Sequence, residues 1–180
     1  GHKVGWLTLH AGLAGGADII LLPEIPYDIN IVADAIKKRA KAGKRFSILA
    51  VAEGAISKEN AALSKKELKK LQQSNPYPSI AYEVGARIKE LTGQEVRVTV
   101  PGHMQRGGAP CPYDRVLSTR LGAAAGKMIM DGKFGYLVGI KNNEITKVPL
   151  SDVAGKLKMV SPDNDMIKEA KLVGISFGDE

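Results

Sequence analysis

Residues 97–108 read Arg97-Val98-Thr99-Val100-Pro101-Gly102-His103-Met104-Gln105-Arg106-Gly107-Gly108, placing two arginines and a histidine around a glycine turn at the end of a strand-like run. Planar guanidinium forks grip phosphate oxygens in pairs, and an imidazole adds a donor of adjustable charge. Glycines without Cβ let backbone N–H groups approach the same oxygens. This is the make-up of an anion site, and the ligand it predicts is a phosphorylated small molecule. His103 and Arg106 converge on one anion if a helical turn starts after Pro101-Gly102. Arg97 heads the strand; from spacing alone it serves a neighbouring subunit or nothing.

A second candidate is Glu53, which closes the apolar run 47–52 and is followed by Gly54. Strand-end carboxylates in α/β folds bind hydroxyls of sugars or cofactors; the competing reading is a capping or solvent-facing side chain. Glu24 has the same placement after Leu22-Pro23, but a turn carboxylate after proline needs no special account. Asp114 opens a predicted helix, where the dipole already stabilises an acid. Trp6 and His10 read as packing residues. Cys111 sits in a proline-flanked loop without a His/Asp arrangement that would make it a nucleophile. No metal cluster is read, because His2, His10 and His103 lack zinc-like spacing and no Cys-x-x-Cys occurs. Neither a Gly-x4-Gly-Lys-[Ser/Thr] loop nor Gly-x-Gly-x-x-Gly is present.

The elements that must hold these residues follow from periodicity. Residues 3–14, rich in alanine and glycine, suit a tightly packed helix ended by Gly15-Gly16. The continuous apolar run 18–23 is a strand buried on both faces, residues 28–42 are an amphipathic helix stopped by Gly43, and 47–52 are a second buried strand. A polar insertion with helical character covers 55–77. Residues 78–92 are a helix capped by Gly93, and 95–100 a third strand. Alternation of this kind predicts a right-handed, mostly parallel α/β sheet with ligands at the carboxyl ends of its strands. A long helix over 113–131 follows, then strands at 134–140 and 144–148 around Asn142-Asn143, helical signals at 151–155 and 163–171, and a frayed end.

The chain has 180 residues, enough for one domain and a little more, and carries a formal charge of +7 from 26 basic against 19 acidic residues. Many lysines fall at helical spacing without interleaved aromatics, which favours a solvated face over a nucleic-acid surface. One cysteine fits a reducing compartment, and the apolar runs are shorter than a membrane helix needs, so the expectation is a soluble cytoplasmic protein. The first methionine is Met104, and the chain reads as a fragment or a processed product.

In these motifs the chain resembles the 6-phosphofructokinases. Gly1 with Gly5-Trp6 is similar to the family's Met-Gly-Arg helix start, residues 19–24 to its strand ending in Pro-Glu, and Val51-Ala52-Glu53-Gly54 to its sugar-contact strand. Residues 97–108 are similar to its signature, and Pro112-Tyr113-Asp114-Arg115 and Leu121-Gly122-Ala123 extend the likeness along nearly the whole chain. The resemblance implies an α/β three-layer sandwich with a mostly parallel sheet, carboxyl-terminal portion only. Residues 1–108 would be the fructose 6-phosphate-binding domain, 109–150 a helix and strands packing toward a donor domain, and 151–180 a helical tail.

It further implies that Glu53 binds hydroxyls of fructose 6-phosphate and that His103 and Arg106 hold its 6-phosphate, with Met104 and Gln105 as the intervening backbone. Arg97 would complete the site of an adjacent protomer in a homo-oligomer, typically a tetramer. Gly1 would supply a backbone contact to the sugar, and His2 stands where the family has an arginine near the transferred phosphoryl. The implied reaction phosphorylates fructose 6-phosphate at O1 to fructose 1,6-bisphosphate in glycolysis, with Mg2+ and ATP or pyrophosphate. The donor loop and the aspartate base would precede Gly1, so this chain alone is expected to be inert, with no catalytic residue of its own beyond His2. An effector nucleotide is expected near Asp18, Lys44 and Arg45. The rival readings are a non-catalytic sugar-phosphate binding module and a basic nucleic-acid binder.

Overall fold

The computed structural model describes residues 2–180, apart from the side chains of Gln72 and Arg106. In chain order it contains α1 (Trp6–Ala14), β1 (Ile19–Leu21), α2 (Ile29–Lys41), β2 (Leu49–Val51), α3 (Lys58–Ala61), α4 (Lys65–Ser74) and α5 (Ile80–Thr92). A short 3-10 helix (Gly102–Arg106) leads to α6 (Pro112–Met130), β3 (Tyr136–Lys141), β4 (Glu144–Pro149), α7 (Leu150–Val153) and α8 (Asp165–Leu172). Two compact units result: Gly1–Val100 with Lys158–Glu180, and Pro101–Leu157. They divide the chain differently from the expected segments 1–108, 109–150 and 151–180. Residues 101–108 go with the second unit, and 158–180 return to the first.

The first unit is organised by β1, whose residues are all fully buried. Successive strand side chains point to opposite faces. Ile19 and Leu21 therefore enter one apolar cluster with Val32 and Ile36 of α2 and Val84 and Ile88 of α5. Ile20 and Leu22 enter another with Leu9 of α1 and Ile167 of α8. A continuous apolar run is what a strand sandwiched between helices requires. β1 pairs in parallel with β2 in the register Ile19↔Leu49, Ile20↔Ala50 and Leu21↔Val51.

Local chemistry explains the boundaries. The Asp28 carboxylate accepts from Asn30 N at 2.8 Å and so caps α2. Gly93 ends α5 in the left-handed region at φ 69°. In α1, a Cβ on Gly12 would stand 2.8 Å from Ile20 Cδ1 and 3.1 Å from Ala50 Cβ, so the glycine allows the helix to lie directly on both strands.

Three expectations are corrected. No strand forms over 95–100 among the described residues; this segment instead faces β2 across a groove of about 580 Å³ lined by Arg45, Leu49, Val51, Val96 and Val98. Alternation can prepare a strand, but ladder hydrogen bonds need an edge within reach. The sheet is also not mostly parallel over the whole chain, since β3 and β4 pair antiparallel. Their turn, Asn142-Asn143, has φ of 51° and 64°, as the hairpin expectation requires. Finally, the end is not frayed. Ile20 N donates to Ser176 O at 2.9 Å and Ser176 N to Asp18 O at 3.1 Å, laying the tail beside β1, and Phe177 is fully buried.

In the second unit, the apolar stripe that periodicity places on α6 comprises Leu117, Leu121, Ala124, Met128 and Ile129; the first four are half-buried, Ile129 is exposed, and no described α6 side chain is fully buried. Arg120 of α6 donates to Asn143 Oδ1 at 2.9 Å, holding helix and hairpin together. Among the described residues no helix is long and apolar enough to cross a membrane.

Candidate functional site

The carboxyl ends of β1 and β2 each lead into a glutamate, and the two glutamates do different things. Glu24 Oε1 accepts from Gly5 N and from Val160 N, both at 3.0 Å. One carboxylate oxygen thus anchors the start of α1 and the returning tail segment, which gives Glu24 a structural task. A Cβ on Gly5 would come within 2.7 Å of Glu24 Oε2, so the anchor also depends on glycine at that position.

Glu53 follows β2 and faces His2, with Nδ1 of the imidazole 3.1 Å from Oε1 of the carboxylate. Both side chains are open to solvent, at 81% and 58% exposure, so a ligand has free access to them. Gly54 permits a close approach, as its sequence position suggested, but the group it admits is the chain's own backbone. A Cβ there would stand 2.2 Å from the His2 carbonyl oxygen. His2 and Glu53, two candidates read separately from the sequence, are brought together. Gly1 lies outside the described residues.

Arg97 is exposed, and its Nε lies 3.0 Å from Glu95 Oε1. His103, Met104 and Gln105 occupy the 3-10 helix that Pro101-Gly102 starts, with Met104 N donating to Pro101 O at 2.9 Å. Gly102 at φ 46° and Gly108 at φ 83° bracket the turn in the left-handed region that favours glycine. The turn leaves the His103 imidazole exposed. The side chain of Arg106 lies outside the described residues. This turn belongs to the second compact unit, whereas Glu53 and Arg97 belong to the first.

Of the expected effector residues, Asp18 and Lys44 line one cavity of about 690 Å³ together with Lys38, Arg39 and Lys171. Arg45 instead lines the groove beside residues 94–99. Asp114, read from the sequence as an acid stabilised by the helix dipole, also accepts from Cys111 N at 3.1 Å. Among the described residues, no three His, Cys, Asp or Glu side chains gather as metal ligands would. The His2–Glu53 contact was the relationship sequence reasoning missed. Its only signals were a histidine at the lead-in to a glycine-started helix and a strand-end glutamate, which nothing in the sequence links.

A family model described as phosphofructokinase matches residues 1–129. An ATP-dependent 6-phosphofructokinase of Spirochaeta thermophila is 51% identical over 99% of this chain and 49% of its own length. That of Chloroflexus aurantiacus is 45% identical over 100% of this chain and 49% of its own. The chain spans about half the length of the curated relatives it matches. Among solved structures, Pichia pastoris phosphofructokinase in the T-state matches with a TM-score of 0.66 at 32% identity, over 84% of this chain and 15% of that one. A pyrophosphate-dependent phosphofructokinase from Nitrosospira multiformis matches with a TM-score of 0.73 over 100% of this chain and 47% of that one; at 20% identity this is a likeness of fold.

Proposed function

The chain belongs to the phosphofructokinase family, and from that membership we propose that it is the carboxyl-terminal, fructose 6-phosphate-binding portion of a 6-phosphofructokinase. The observation that carries this reading is the strand-end carboxylate of Glu53, open to solvent beside His2 and inside the residues that the family model matches. β2 is half-buried rather than the fully buried strand expected over 47–52, yet an exposed carboxylate at its end has little structural use, and its lone pairs suit sugar hydroxyl donors.

In this reading Glu53 accepts from hydroxyls of the sugar, while His103 and Arg106 bind oxygens of the 6-phosphate with backbone support from Met104 and Gln105. Arg97 reaches the sugar phosphate of a neighbouring protomer in a homo-oligomer, a tetramer. The acceptor is thereby oriented so that its O1 hydroxyl receives the phosphoryl group, and orientation is a large part of phosphoryl-transfer catalysis. The donor loop and the aspartate base lie in sequence outside these 180 residues, in keeping with relatives about twice as long. ATP is the donor we assign, because relatives 45–51% identical are named ATP-dependent. The magnesium ion that the family implies is assigned to the donor side as well.

The test is His103→Ala in the natural full-length protein. Loss of a charge-assisted contact to the 6-phosphate is expected to raise KM for fructose 6-phosphate about tenfold or more, with the KM for ATP little changed. An unchanged KM for the sugar phosphate would overturn the assignment. The 180-residue chain by itself is expected to show no phosphoryl transfer with ATP or pyrophosphate, and turnover by it would refute the division of labour proposed.

A further inference from the structure

Building on the reading of Glu53 as the sugar-hydroxyl acceptor, we propose that His2 is the positioning residue for Glu53, holding Oε1 so that the other carboxylate oxygen is presented to the sugar. Glutamate has three rotatable side-chain bonds, and an exposed one samples many rotamers unless something selects among them. Here the His2 imidazole stands 3.1 Å from Oε1, and among the described residues it is the ionisable partner of Glu53.

The backbone that carries the imidazole is held in place. The turn after β2 packs on the His2 peptide so closely that a Cβ on Gly54 would meet the His2 carbonyl oxygen at 2.2 Å and its carbon at 2.8 Å. The same Cβ would lie 3.3 Å from Pro23 Cγ, so the turn after β1 closes in from the other side. His2 and Glu53 are thus related through two strand-end turns as well as through their side chains. The arrangement differs from a direct contact between His2 and the transferred phosphoryl, because here His2 acts through the carboxylate and affects sugar binding.

The experiment is a double-mutant cycle in the natural full-length protein, with His2→Ala, Glu53→Gln and the double variant, and KM and kcat measured for fructose 6-phosphate. Both side chains are exposed, so the variants should fold, which thermal unfolding checks. His2→Ala is expected to raise KM for the sugar about two- to fivefold at nearly constant kcat, the range of an exposed ion pair. The effect should vanish when Glu53 is already Gln, and His2→Asn, which keeps a donor near the Nδ1 position, should restore most of the affinity.

If Glu53→Gln leaves KM unchanged, the sugar-hydroxyl reading of Glu53 itself falls. If Glu53→Gln raises KM while His2→Ala does not, the positioning proposal falls and that reading stands. A His2→Ala effect that persists undiminished in the Glu53→Gln background, or that appears in kcat, would likewise overturn the positioning role.

Discussion

Asp18 Oδ1 lies 2.7 Å from Arg39 Nη2, and this one ion pair ties the lead-in of β1 to α2. Asp18 Oδ2 accepts from Ile48 N at 2.8 Å, and Arg39 Nε donates to Ser47 Oγ at 3.1 Å, so the entry of β2 joins the same clasp. With 16% and 30% of the side chains exposed, the pair is better protected than an ordinary surface ion pair. Asp18→Ala removes a partner from both Arg39 and the Ile48 amide. We expect about 1–2 kcal/mol of lost stability, read from urea denaturation at constant slope. A change below about 0.5 kcal/mol would show that the clasp is incidental. The same geometry bears on the expected effector site, since a nucleotide approaching Asp18 would compete with Arg39 and Ile48.

The tail supplies a second prediction. Phe177 is fully buried in the cluster that holds Leu9, Ile20, Leu22 and Ile167. Phe177→Ala is expected to cost about 3–5 kcal/mol, the range for truncating a buried aromatic. A stability change near zero by denaturant titration would contradict the docking of the tail beside β1.

A third concerns close packing in α1. Gly12→Val would push side-chain atoms into Ile20 and Ala50, beginning with a Cβ only 2.8 Å from Ile20 Cδ1. Overpacking of this kind is expected to destabilise by about 1–3 kcal/mol. Equal or higher stability of the valine variant would mean that α1 can move away from the strands at no cost.

Stability at high pH tests the burial of Tyr27. Burial pushes its hydroxyl from the ordinary value of 10.0 up to about 12, the Glu83 and Glu59 carboxylates adding to the effect and Arg87 opposing it. The folded state then binds the proton more tightly than the unfolded chain does. The stabilisation is fully present below pH 10 and is lost as pH rises from about 10 toward about 12. Urea titrations of the parent and Tyr27→Phe should therefore diverge, the parent losing stability relative to the phenylalanine variant above about pH 10. Parallel curves would show that the phenol is not buried in its neutral form.

Arg97 separates structural from functional charge. Its contact with Glu95 is exposed on both sides, so Glu95→Ala should change stability by less than about 0.5 kcal/mol. Arg97→Ala should be equally mild in denaturation, yet raise KM for fructose 6-phosphate in the natural full-length protein if the arginine serves a neighbouring protomer. Unchanged KM would remove Arg97 from the site.

Signals that act between chain neighbours were legible without the fold. The apolar run at β1, the helix read over 28–42, Gly93 after α5 and the Asn142-Asn143 hairpin all express local sterics and hydrogen bonding, and each formed where the sequence pointed. The helical turn at Gly102–Arg106 was legible for the same reason, because the proline and glycine that start it are chain neighbours.

What local signals do not encode is which distant group an element meets. The alternating residues 95–100 had every property of a strand and found no ladder, while the tail, expected to fray, bridges to β1 at Ser176 and buries Phe177. Glu24 and Glu53 looked alike in sequence, each a carboxylate after an apolar run. The fold gave Glu24 two backbone amides to hold and left Glu53 in solvent against His2. A carboxylate's role is set by the donors around it, and those come from segments that only chain closure brings near. The sequence by itself thus determined most of the elements and the types of residue available at their ends, and the tertiary structure decided which carboxylate became an anchor and which stayed exposed.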